Sequence, residues 1–171
     1  CVASNGLNVA PYAEELVQLN VSHVTITLNA LDPEIGAKIY AWVRDGKKIY
    51  RGYEGAKLLL ERQLDAIARL KAAGMVVKVN TIIVPGVNDE HAIEVAEEMG
   101  RLGVDILNCL PLYPVKESAF EEVPEPTKEF IGKLRADAAE FVPQMKHCAR
   151  CRADAVGLLG KDSVSAMDLL N

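Results

Sequence analysis

The chain has 171 residues, half of them apolar, so it can bury a proper core and is expected to form one domain or a large piece of one. Its formal net charge of −5 disfavours a nucleic-acid binder, because phosphate contacts need a concentrated basic surface. No apolar run reaches the roughly 18 residues of a spanning helix and no signal peptide opens the chain, so we expect a cytoplasmic protein without membrane contact.

Short β-branched runs alternate with amphipathic helical patterns, which is typical of βα units around a parallel sheet. The fold class is therefore predicted to be α/β. The predicted strands are the opening "CVA", then "HVTITL" at 23–28, "VVKVNTIIV" at 76–84 and "DILNCLPL" at 105–112. The predicted helices run from Pro11 to Asn20, from about Gly55 to Ala73, from a cap at Asn88 or Asp89 to Gly103, and from Thr127 to Pro143.

Residues 29–54 form an insert that is too long for an ordinary βα loop and carries the chain's only tryptophan. Long loops in such folds cluster at the carboxyl ends of the strands, where ligands bind. The insert interleaves basic and aromatic residues that can meet nucleic acid or an anionic cofactor, but a solvated loop is the favoured interpretation in an acidic chain. These residues are Trp42, Arg44, Lys47, Lys48, Tyr50, Arg51 and Tyr53.

Asparagine recurs at or near the ends of the predicted strands, at Asn5, Asn29, Asn80 and Asn108. Because asparagine is unfavourable inside strands, four such positions suggest a polar ligand above the sheet. Any one of them alone is equally well explained as a turn former, and this holds most strongly for Asn5, which precedes a glycine.

Cys148 and Cys151 form a C-x-x-C pair behind His147. Such a pair can bind a metal or a cluster corner, can form a reversible disulfide, or can be purely structural, and we favour metal or cluster binding. Thioredoxin-type use is disfavoured because the pair follows a predicted helix rather than a strand. Cys109 lies near the carboxyl end of a predicted strand, where burial and ligation are about equally expected.

Two other classes of protein stay open. A non-catalytic module can hold zinc through His147, Cys148 and Cys151, with Cys109 as a further candidate ligand. A barrel lyase or isomerase is less favoured, because its base is expected to be a carboxylate and the strand ends offer asparagine and cysteine instead.

Five segments, "CVASNGLN", "HVTITLNALDPEIGAKIYAWVRDGKKIYRG", "KVNTIIVPGVND", "NCLPLYP" and "HCARCRADAVGLLG", resemble the NifB family of radical SAM enzymes. The resemblance implies a partial (β/α) barrel of the radical SAM type with S-adenosyl-L-methionine (SAM) and [4Fe-4S] clusters as cofactors. It also implies fusion of two [4Fe-4S] clusters with a SAM-derived carbide into the eight-iron precursor of the nitrogenase cofactor. Scaffold and cluster-carrier proteins of that pathway are then the expected partners.

The resemblance also assigns roles to single residues. It implies that Cys148 and Cys151 bind one precursor cluster and that Cys109 helps to hold the other. It places the later barrel units at 1–146, a cluster-binding tail at 147–162 and a linker or terminus at 163–171. The SAM pocket is expected to be lined by Thr27, Asn29 and Asn80, with the backbone at Leu110 and Pro111 facing the adenine.

The chain lacks the family's C-x-x-x-C-x-x-C triplet, which binds the cluster that cleaves SAM. We therefore expect a carboxyl-side part of such an enzyme, which does not cleave SAM by itself.

Overall fold

A computed structural model describes residues 1–145 of the chain. The main sheet has four parallel strands and is joined by a separate two-stranded antiparallel hairpin. The elements in chain order are β1 (Val2–Ser4), a 3-10 turn (Ala10–Tyr12), α1 (Ala13–Gln18), β2 (His23–Thr27), α2 (Pro33–Ile39), β3 (Val43–Asp45), β4 (Lys48–Tyr50), α3 (Gly52–Ala72), β5 (Val76–Ile83), α4 (Ala92–Arg101), β6 (Ile106–Pro111) and α5 (Lys128–Ala138).

The order β1-β2-β5-β6 follows the chain, and every neighbouring pair is parallel. Helices α3, α4 and α5 connect or follow these strands and pack against them. This arrangement confirms the predicted α/β class and is consistent with part of a (β/α) barrel.

The two faces of the sheet differ in burial. Along β5, Val77, Val79, Thr81 and Ile83 are buried, whereas the residues between them are only half-buried. The buried face packs on the helices, and its core includes Ile67 and Leu70 of α3, Val95 and Met99 of α4 and Leu134 of α5. The other face of β5 carries Lys78 and Asn80 among its half-buried residues and can therefore meet a ligand.

The structure corrects three sequence predictions. The insert at 29–54 is folded rather than irregular, because it contains α2, the hairpin β3–β4 and the first residues of α3. The first helix is shorter than expected, since it covers only Ala13–Gln18, and Tyr12 and Leu19 beside it are exposed whereas Ala13 is buried. Neither Asn88 nor Asp89 caps α4, which begins behind His91.

The four predicted strands are all present, and each end agrees with the prediction or differs from it by one residue. Within residues 1–145, no helix has both the length and the apolar character needed to span a membrane.

Helices α4 and α5 pack closely because of a glycine. A Cβ at Gly100, near the end of α4, would overlap the carbonyl oxygen of Phe141 in the chain that follows α5. Gly132 in α5 is different, since a Cβ there meets no heavy atom within 4 Å. These two glycines therefore have opposite roles. Gly100 allows a close contact, whereas Gly132 only lowers helix propensity.

We predict that Gly100→Ala lowers the free energy of unfolding by about 1–3 kcal/mol, because the backbone of Phe141 has to move. Gly132→Ala is the matched control and should raise it by about 0.5–1 kcal/mol through helix propensity. Urea unfolding followed by circular dichroism measures both. Equal effects of the two substitutions would contradict the close packing at Gly100.

Candidate cofactor-binding site

Three polar residues lie side by side on the half-buried face of the sheet. Thr27 of β2 pairs with Asn80 of β5, and Asn80 pairs with Asn108 of β6. Paired residues of neighbouring strands point to the same face, so these side chains form a row across three strands, which we call the polar row. The row lies towards the carboxyl ends of the strands, the side on which barrel enzymes bind their ligands.

The polar row contains an unsatisfied acceptor. The Asn108 amide donates from Nδ2 to Oδ1 of Asn80 at 3.1 Å. Asn108 is only 1% exposed, and its Oδ1 has no hydrogen-bond partner within residues 1–145. A buried acceptor left unpaired costs about 1–3 kcal/mol, and a ligand with an N–H or O–H group would remove that cost. The polar row therefore fits a polar ligand above the sheet, as expected from the recurring asparagines.

Asn29 is bonded to the edge of the sheet, and its predicted place in the SAM pocket stays a prediction. Its Oδ1 accepts a hydrogen bond from the backbone N–H of Ile82 at 2.9 Å, and its carbonyl oxygen accepts one from Nδ2 of Asn88 at 2.8 Å. Asn29 is buried and links the chain beyond β2 to the end of β5. Its side-chain oxygen is thus already engaged with the backbone, and the structure does not bring it into the polar row.

Asn88, expected as a helix cap, supports the same edge of the sheet. Its Oδ1 accepts from the N–H of Val84 at 2.7 Å, and its Nδ2 also donates to the carbonyl of Ile82 at 2.8 Å. His91 accepts from the N–H of Leu31 through Nε2 at 3.0 Å, which leaves the proton on Nδ1, 3.0 Å from Oε2 of Glu94. Both side chains therefore position the edge and are not free for a ligand.

Leu110 and Pro111 are half-buried at the end of β6. Leu110 is two residues beyond Asn108 and so lies on the same face of the sheet. An apolar residue next to the polar row agrees with the expectation that this segment faces a flat ring such as adenine.

Cys109 lies on the opposite face from the polar row. It pairs with Thr81, is fully buried in the core with the helices, and its carbonyl oxygen accepts two hydrogen bonds from the Arg135 guanidinium, at 3.0 and 2.7 Å. Burial raises the pKa of the Cys109 thiol to about 11, although the charge of Arg135 acts in the other direction. Since the thiolate is the metal ligand, this placement gives no support to the prediction that Cys109 holds a cluster.

The other predicted metal ligands, Cys148 and Cys151, lie outside the described residues, as does His147. Within residues 1–145, no group of three or more His, Cys, Asp or Glu side chains is placed to hold a metal ion. Cys1 is exposed at the start of the chain, with Sγ 3.9 Å from Oγ1 of Thr25. The predictions for Cys148 and Cys151 therefore stay predictions.

Sequence reasoning missed Gln63 of α3, which ties two strand ends together. Its Nε2 donates to the carbonyl of Asn5 at 3.0 Å and to the carbonyl of Thr27 at 2.7 Å. Gly6 makes this possible, because a Cβ at that position would lie 2.8 Å from Cγ of Gln63. The sequence did contain a signal for this residue. Gln63 is polar, yet its spacing places it on the same helix face as the apolar residues Leu59 and Ile67, all of which are buried.

The family model described as the Radical SAM superfamily matches residues 1–99. The four-stranded parallel sheet is consistent with the partial (β/α) barrel of that class, and the chain belongs to the radical SAM superfamily.

Within that class, the chain is similar to proteins named FeMo cofactor biosynthesis protein NifB, which confirms the resemblance seen in the sequence. It is 58% identical to that of Chlorobaculum tepidum over 161 residues, 94% of the chain and 38% of the relative. Identity is 43% to that of Rhodobacter capsulatus, over 95% of the chain and 37% of the relative. Identity is 40% to that of Methanocaldococcus infernus, over 93% of the chain and 52% of the relative. The chain thus spans between a third and about half of the length of these relatives.

We predict that Cys109 is protected from alkylation by iodoacetamide at pH 8 in the folded protein, because its thiol is buried and stays protonated. Cys1 is the internal control and should be alkylated rapidly, since it is exposed. Peptide mass spectrometry with and without urea measures both. Rapid labelling of Cys109 without urea would show that its thiol reaches solvent and would reopen its assignment as a ligand.

Proposed function

We propose that this chain provides the SAM-contacting strands of a radical SAM enzyme that acts in FeMo cofactor biosynthesis. The observation that carries the proposal is the buried, unpaired Oδ1 of Asn108 in the polar row. It supplies a docking point for a polar ligand in a chain of the radical SAM superfamily. The similarity to NifB proteins over 93–95% of the chain supports the choice of pathway.

The polar row and the end of β6 would bind SAM by complementary chemistry. Asn108 offers an acceptor, and Asn80, whose Oδ1 is already paired, offers its amide N–H groups as donors. Thr27 adds a hydroxyl, which donates and accepts. The backbone at Leu110 and Pro111 would face the adenine ring. When bound, SAM supplies radical chemistry and a methyl carbon, while these residues hold and orient it.

The substrates in this proposal are two [4Fe-4S] clusters, which are fused with a carbon from SAM into an eight-iron precursor. Cys148 and Cys151 would hold one of them, because two thiolates at this spacing can bind two irons of the same cluster. Arg150 and Arg152 beside them would favour the thiolate forms and offset the negative charge of the cluster. The product would pass in the cytoplasm to scaffold and carrier proteins of the same pathway.

The polar row can be tested by SAM binding. We expect Asn108→Ala to weaken SAM binding about two- to tenfold, since one hydrogen bond contributes about 0.5–1.5 kcal/mol. The control is Thr25→Val. Thr25 lies on the same face of the sheet, two residues before Thr27, and pairs with Lys78 outside the polar row. Isothermal titration calorimetry measures both affinities. Unchanged affinity in Asn108→Ala, or an equal loss in Thr25→Val, would contradict SAM binding at the polar row.

The cysteine pair can be tested by metal content. Protein purified without oxygen should contain iron and acid-labile sulfide in similar amounts, and both should be lost in the Cys148→Ser/Cys151→Ser variant. Cys109→Ser is the matched control and should keep them, because Cys109 lies in the core. Stoichiometric zinc without sulfide would contradict the cluster assignment and favour the zinc-binding module instead.

A further inference from the structure

A second site lies between the insert and the carboxyl ends of β1 and β2. It is a cavity of about 200 Å³, which we call the insert cavity. Its apolar wall is formed by Leu7, Val43 and Leu59, which make a small core of their own beneath the hairpin β3–β4. The insert cavity shares only Thr27 with the proposed SAM site.

The polar wall of the insert cavity has one charge, and that charge is positive. Arg44 is the single charged residue among those that line it. Within the described residues, the polar contact of Arg44 is from Nε to the carbonyl of Gly46 at 3.2 Å, and no carboxylate pairs with its guanidinium. The neighbouring Asp45 lies 3.7 Å from Arg62 instead. The guanidinium therefore keeps donors and an unbalanced charge for a ligand.

A buried hydroxyl adds a further donor. Tyr40 lines the cavity, and its buried hydroxyl makes no hydrogen bond of normal geometry within residues 1–145, although Gln63 and Asn29 lie next to it. Burial raises the pKa of Tyr40, although Gln63 and Asn29 act in the opposite direction, so the O–H group is present at neutral pH. Asn5 also lines the cavity, and because its Oδ1 accepts from Leu7, its amide N–H groups remain as donors.

We propose that the insert cavity binds a small oxyanion, either the carboxylate of a small organic acid or an inorganic oxyanion. A guanidinium, a buried phenol and an amide are all donors, and such sets recognise oxygen anions. A cation is disfavoured, because no carboxylate lines the cavity. The surrounding hairpin segment 40–53 carries four basic residues and one acidic residue, which would attract an anion to the cavity. This site does not depend on the proposed SAM site.

The chain contains its own reporter for this site. Trp42 is the only tryptophan, it lines the cavity, and 55% of its surface is exposed. Titration of the protein with acetate, sulfate or phosphate, at constant ionic strength set with chloride, should therefore change tryptophan fluorescence and saturate. Saturation with acetate alone assigns the site to carboxylates, and saturation with sulfate or phosphate alone assigns it to inorganic oxyanions. Saturation with both supports a general oxyanion site.

Three variants separate a specific site from charge screening. We expect Arg44→Gln to raise the dissociation constant at least about tenfold and Tyr40→Phe to raise it about threefold or more, because hydrogen bonds to charged groups are strong. Lys47→Gln removes an exposed charge from the same hairpin without touching the cavity and should change it less than about twofold. A response that stays linear with every anion, or an equal effect of Lys47→Gln and Arg44→Gln, would overturn the proposal.

Discussion

Buried amide side chains hold the carboxyl edge of the sheet together, and the candidate sites depend on them. Backbone groups that leave a parallel sheet lose their ladder partners and must be satisfied when they are buried. Gln63 serves the ends of β1 and β2, while Asn29 and Asn88 serve the ends of β2 and β5. Because these three amides replace the missing ladder bonds, the long insert can leave the sheet at Thr27 without exposing core.

Within residues 1–145, three buried side-chain atoms lack a geometric hydrogen-bond partner, and two of them, Asn108 Oδ1 and the Tyr40 hydroxyl, belong to the two proposed sites. They differ in chemistry: Asn108 offers an acceptor beside the amide of Asn80, whereas Tyr40 offers a donor near an unpaired guanidinium. The first suits a ligand with N–H or O–H groups, such as SAM, and the second suits an anion. The edge can therefore hold two different ligands in neighbouring places.

Successive residues of a β-strand face opposite sides of the sheet, so two adjacent residues can have unrelated surroundings. Asn108 and Cys109 are neighbours in β6, yet one faces the polar row and the other faces the helices. From the sequence, both were candidates at the same strand end, because the face of each was not known. The register with β5 decided between them, since Asn80 and Thr81 each align with one of the pair. Burial in the core with the helices raises the pKa of the Cys109 thiol, and its assignment as a ligand stays a prediction.

The sequence by itself determined the α/β class, the four parallel strands and the recurrence of asparagine near their ends, because these depend on local periodicity and residue type. It also carried the family resemblance. Only the tertiary structure decided which asparagines lie in the polar row, that Gln63 joins two strand ends, and that the insert folds into a helix and a hairpin beside a cavity. Each of these depends on contacts between residues distant in sequence, such as Gln63 with Asn5, and no local pattern specifies which distant partner a polar side chain will meet.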